Sequence, residues 1–172
     1  MKKIALILAL VLSLSVLTAC GGNSAETTIT APEGTAEELV AKVYENVTIE
    51  LPLMSMPIDL ADADTVAYMS GLTDASAVSE MVVSEPMMGS QAYSLVMVRL
   101  NDAAQAETVA QNIFDNIDTR KWICVEATEK QAVVCGDLVM FIMLSPEYGV
   151  TTDQIVEAFT TVCGGTVGTI IK

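Results

Sequence analysis

The chain has 172 residues, with 8 Lys+Arg against 22 Asp+Glu, no histidine and a formal net charge of −14. That length holds about one domain. The charge excludes an electrostatic nucleic-acid binder, and the missing histidine excludes Ser-His-Asp and Cys-His catalytic sets.

The first twenty residues, MKKIALILALVLSLSVLTAC, place Lys2 and Lys3 before an apolar run from Ile4 to Leu17. This is the layout of a secretory signal peptide, and the run is short against the ~20 residues of a membrane span. Leu17-Thr18-Ala19-Cys20 resembles the lipobox of bacterial lipoproteins, which implies lipidation of the Cys20 thiol and cleavage before it. Two acyl chains such as palmitate anchor a protein stably, because each buried CH₂ contributes ~0.8 kcal/mol. The expected layout is a signal peptide over 1–19, lipidated Cys20 with a flexible tether over 20–34, and a single α+β domain over 35–172. Loss of Lys2 and Lys3 leaves 6 basic against 22 acidic side chains, a sum of −16.

Within the domain, Thr35-Ala36-Glu37-Glu38 reads as a capping box. Leu39, Val40, Val43, Tyr44 and Val47 follow at helical spacing. LPLMSMPIDL carries Pro52 and Pro57, which deny it a helix interior or a central strand place, so an extended apolar connector is expected. Asp62 opens a shorter helix that Gly71 ends. Val78 to Ser84 and Tyr93 to Leu100 flank a turn-rich Glu85–Ser90 and read as paired strands. A helix capped by Asn101 or Asp102 turns Ala106, Val109, Ala110, Ile113, Phe114 and Ile117 to one side. Gln131 to Cys135 and Leu138 to Leu144 form a hairpin around Gly136-Asp137. LVMFIML is apolar on both faces, as in a covered central strand or one whose second face meets a neighbour. Thr151 caps a last helix through Val162, and TVGTIIK reads as a short tail.

The order ααββαββα predicts an α+β fold: a small antiparallel sheet of two hairpins (a ββαββα core) with helices packed on one face, preceded by an N-terminal helical segment. The two ββα halves are loosely alike, a candidate pseudo-repeat. Cys124, Cys135 and Cys163 remain beyond Cys20, an odd number for an exported chain. One pair plus one free thiol, and no pair at all, both fit this count.

The stretches RKWICVEA (Arg120 to Ala127), AVVCGDLVMFIM and DQIVEAF (Asp153 to Phe159), together with the lipobox and polar tether, resemble a family of small lipoproteins of Gram-positive anaerobes. That family is catalogued as domain of unknown function four-three-five-eight. The resemblance spans about Leu51 to Val162. It implies an envelope location and an α+β domain, and it brings no activity or catalytic residue.

Four features are candidates for chemistry. Arg120-Lys121-Trp122 is the one basic cluster and contains the sole tryptophan, suited to a cation–π contact or an anion corner. Met87-Met88, in a turn, offers an adaptable contact surface. Met54 and Met56 are soft ligands of the kind that hold Cu(I), the weakest of the candidates. Asp59, Asp62 and Asp64 lack Ca²⁺-loop spacing and read as helix-start acids. No nucleophile set, phosphate loop or dinucleotide fingerprint is present, and a Ser–Lys dyad would draw on Lys42, Lys121, Lys130 or Lys172. The expectation is a non-enzymatic, membrane-anchored, extracytoplasmic binding or protein-interaction module without cofactor or resident metal. Its partners would be the membrane, through the anchor, and an envelope protein or small ligand, with no nucleic acid. The alternative is a small-molecule or Cu(I)-type metal-binding lipoprotein serving uptake.

Overall fold

The computed structural model describes residues 29–172. The signal peptide, the lipobox Leu17-Thr18-Ala19 and Cys20 lie outside the described residues. No helix among the described residues is long and apolar enough to cross a membrane.

The chain runs α1 (Ala36–Glu45), β1 (Leu53–Pro57), α2 (Ala63–Ser70), β2 (Val78–Pro86), β3 (Tyr93–Leu100), α3 (Ala106–Asn116), β4 (Glu129–Cys135), β5 (Leu138–Leu144), α4 (Thr152–Val162) and β6 (Ile170–Ile171). The strands form one antiparallel sheet in the order β1-β2-β3-β5-β4-β6. The fold is α+β, as the sequence pattern indicated.

Local chemistry starts the helices. Thr35 Oγ1 accepts from the Glu38 N–H while Glu38 Oε2 accepts from the Thr35 N–H, closing a capping box before α1. Thr151 and Gln154 do the same before α4. Asp62 accepts from the Thr65 N–H at the start of α2, and Asp59 accepts from the Ala61 N–H. Both acids therefore serve local backbone donors, as expected of helix-start residues.

The helices cover both faces of the sheet, which corrects the one-face arrangement. Strand alternation divides the core in two. Tyr93, Leu95, Met97, Met140 and Ile142 meet Leu39 and Val43 of α1 and Ile155 and Phe159 of α4. Val96, Val98, Val139, Phe141 and Met143 meet Val66 of α2 and Val109 and Ile113 of α3. The physical reason is legible in β5: every residue from Leu138 to Leu144 is buried, and a strand with two apolar faces needs cover on each. The helices following the two hairpins lie on opposite faces. This placement does not follow from duplicating one ββα unit.

Two further strands complete the sheet. The Pro-flanked connector pairs along β2 as the edge strand β1, where proline is tolerated. The tail pairs Ile170 and Ile171 with Val133 and Ala132 at the other edge.

The segment expected as tether is docked from Ile29 onward. Ile29 and Ala31 pack on the core, and Arg99 Nη2 donates to the carbonyls of Pro32 and Gly34. Arg99 also holds Asp137 at 3.0 Å. The chain thus enters the domain at the β4–β5 turn. The pairing of Arg99 with Leu138 marks that end of the sheet, and the pairing of Tyr93 with Leu144 marks the opposite end.

Candidate functional site

The opposite end of the sheet gathers residues far apart in sequence. The β2–β3 turn carries Met87 and Met88, 74% and 54% exposed, and the α3–β4 loop brings Ile123, 73% exposed, beside them. The Ile123 N–H donates to the Gly89 carbonyl at 2.8 Å, tying the loop to the turn. A Cβ at Gly89 would lie 3.9 Å from Ile123 Cδ1, so the side chain lies along the turn. Met54 of β1 pairs with Glu85 and is exposed at the border of the same tip.

Beneath the tip sits a buried ion pair. Lys121 Nζ lies 2.6 Å from Glu85 Oε1, with the two side chains 1% and 14% exposed. Among the described residues, Glu85 Oε1 has no other polar partner. The ammonium also donates to the Met69 carbonyl and to Ser94 Oγ, each at 3.3 Å. The first of these contacts is at the C-terminus of α2, where a cation is favoured. The rings of Trp122 and Tyr68 lie 5.6 and 5.8 Å from Nζ, within cation–π range. Burial lowers the Lys121 pKa, and the Glu85 and Asp118 charges oppose that shift. The pair joins β2, β3, the end of α2 and the α3–β4 loop, and so fixes the base on which Met87, Met88 and Ile123 stand.

The sequence candidates separate under this geometry. Lys121 and Trp122 do meet in a cation–π contact, but Arg120 takes no part in it. Arg120 Nε instead pairs with Glu126 at 2.5 Å on an open surface, with side chains 75% and 48% exposed. Exposed pairs of this kind contribute ~0–1 kcal/mol. Both cations of the expected anion corner are thus engaged by carboxylates of the fold. Lys121 with Ser94 has the elements of a Ser–Lys dyad, but Ser94 is fully buried. No substrate carbonyl reaches that hydroxyl in this conformation, which nucleophilic attack requires. Met54 and Met56 lie on one face of β1, and no cluster of three or more His, Cys, Asp or Glu ligands occurs among the described residues.

Sequence reasoning found Met87, Met88, Lys121 and Trp122 but missed Ile123, Glu85, Ser94 and Tyr68. Glu85 carried one usable signal: an acid ending an apolar strand, next to a sequence with few lysines. Among the described residues, a cavity of about 620 Å³ forms an open groove between the end of α1 and α4. Glu50 and Glu157 line it without a facing cation, and it does not touch the tip.

The chain matches no protein-family model, no curated protein and no solved structure. Its fold class and its tip are therefore defined by their own geometry.

Proposed function

We propose that the protein is an extracytoplasmic lipoprotein, anchored through Cys20 to the outer face of the cell membrane, that works as a non-enzymatic protein-interaction module. The observation that carries this reading is the exposed Met87–Met88–Ile123 tip, seated on the buried Lys121–Glu85 pair at the end of the sheet opposite Ile29. A chain tethered at one end presents the other end away from the bilayer. The six residue steps from Tyr93 to Arg99 place the two ends ~20 Å apart. Adaptable thioethers suit a protein contact. The acidic balance of the chain favours a partner with an apolar seat and a basic rim. A soft-metal reading has one observation in its favour, the position of Met54 beside the Met87–Met88 turn, and Cu(I) titration of a Met54→Leu variant tests it.

Two measurements test the proposal in the full chain on its own membrane. Cys20→Ser is expected to abolish fatty-acid labelling and to release the protein from membranes; label that survives the substitution removes the anchor. A photo-crosslinking residue at position 88 is expected to give a discrete protein adduct, while the same residue at Thr161 gives none. With that residue kept at position 88, Met87→Lys with Ile123→Lys should reduce the adduct at least ~10-fold while changing stability by less than ~0.5 kcal/mol per surface site. Equal adducts from both positions, or crosslinking to lipid at position 88, would overturn the orientation.

A further inference from the structure

Cys135 ends β4 and is fully buried, and Cys163 caps the C-terminus of α4 and packs against the same core cluster. Gln131 Nε2 donates to Thr152 Oγ1 and Asp153 Oδ1, so α4 starts over the start of β4. The ~15 Å of α4 and the ~13 Å from Gln131 to Cys135 then bring Cys163 to the level of Cys135 on the same face. The Cys135 sulfur also lies 4.0 Å from the Thr30 carbonyl, so the pair sits where the chain enters the domain. Cys124 is remote from both. It is exposed in the α3–β4 loop, before β4 begins, with the whole of that seven-residue strand between it and Cys135. Such a strand is ~20 Å long, far beyond the ~7 Å limit on Cα separation for a disulfide.

We infer that Cys135 and Cys163 are a disulfide site, with Cys124 the leftover thiol, and that the bond locks the end of α4 to the sheet where the chain enters. The reaction is an exchange. Two protein thiols and one disulfide-bearing oxidant give the Cys135–Cys163 disulfide and two oxidant thiols. The two S–H bonds and the oxidant S–S bond break; one protein S–S bond and two oxidant S–H bonds form. Two electrons pass to the oxidant with the two protons.

The closeness of the two thiols has a chemical consequence consistent with this role. It lowers the Cys135 pKa and raises that of Cys163, so the first proton lost leaves its charge on Cys135. The half-buried Cys163 is the thiol an external oxidant reaches, and the Cys135 thiolate then closes the bond by displacing the oxidant from the mixed disulfide. The site stands on packing and thiol contact in the folded domain, independently of any partner at the tip. It goes beyond the interaction reading.

Tryptic cleavage provides the test, because residues Gln131 to Lys172 contain Cys135 and Cys163 and no internal lysine or arginine, while Cys124 falls in the preceding peptide. The full chain, extracted from membranes, is incubated with oxidised glutathione, alkylated and digested. The Gln131–Lys172 peptide is expected to be two hydrogens lighter than its dithiol form and unalkylated, and to accept two alkyl groups after reduction. Oxidation should also raise the thermal midpoint by roughly 5 °C, and Cys163→Ala should abolish that rise. Two alkyl groups taken up without reduction, a stable glutathione adduct on either cysteine, or a crosslink to Cys20 or Cys124 would each overturn the assignment.

Discussion

Lys121→Met is expected to destabilise the protein by about 3–5 kcal/mol, the range for removing one partner of a buried ion pair. Glu85 would be left in an 86%-covered position with no ammonium 2.6 Å away. The carbonyl of Met69 and the hydroxyl of Ser94 would lose a donor as well. The double variant Lys121→Met with Glu85→Leu should recover most of the loss, because paired charges and apolar replacements of similar volume are nearly equivalent in stability. Urea unfolding of the single and double variants measures the coupling. Additive losses would show that the pair contributes no mutual term.

The same site carries a pH dependence. Burial lowers the Lys121 pKa in the folded state, while the unfolded chain titrates near ~10.4. Between those values the unfolded state binds more proton, so stability from this group rises with pH. Below the folded value both states hold the proton and the slope vanishes. Wild type should therefore gain on Lys121→Met as pH is raised toward ~10.4.

Gly71→Ala is expected to cost about 3 kcal/mol, from ~1–2 for the left-handed backbone and ~1–3 for overpacking. Gly71 ends α2 at φ +78°, with its N–H donating to the Ala67 carbonyl. A Cβ there would lie 2.5 Å from Ile117 N, 2.7 Å from Asn116 C and 2.8 Å from Ile117 Cα. These are backbone atoms at the end of α3, so no side-chain rotation relieves the overlap. Gly149 provides the control: it has φ +73° and nothing within 4 Å of an added Cβ. Gly149→Ala should therefore cost only ~1–2 kcal/mol, the backbone part alone. Equal losses at the two glycines would show that the α2–α3 contact is not rigid. That contact matters for the tip, because Met69 near the end of α2 accepts from Lys121 and the loop carrying Ile123 leaves from the end of α3.

The parts of the fold that could be read from sequence are those encoded within a few residues. Thr35 with Glu38 and Thr151 with Gln154 announce helix starts because each cap satisfies backbone donors only three positions away. Gly136-Asp137 announces a hairpin because the turn needs a left-handed residue, and Gly136 has φ +58°. The two edge strands were not legible. Leu53–Pro57 and Ile170–Ile171 are short and owe their extended state to partners on β2 and β4. The candidate site divides the same way. Met87 and Met88 stood out by falling in a turn, and the Lys121–Glu85 contact joins residues whose meeting depends on how a loop folds back over a strand end.

By itself the sequence determined the α+β class, the helix starts at Thr35 and Thr151, the Gly136-Asp137 turn and the acidic balance, because local hydrogen bonding and apolar periodicity write these into consecutive residues. Element ends moved with packing: β2 runs through Glu85 and Pro86, α1 stops at Glu45 before Val47, and Asp102 caps a short 3-10 turn ahead of α3. The tertiary structure alone decided that helices cover both faces, that Arg120 pairs outward while Lys121 is buried, that Ile123 joins the methionines, and that Cys135 meets Cys163. Each of those outcomes depends on which surfaces close over the apolar sheet, and burial is a property of the whole packed chain rather than of any segment of it.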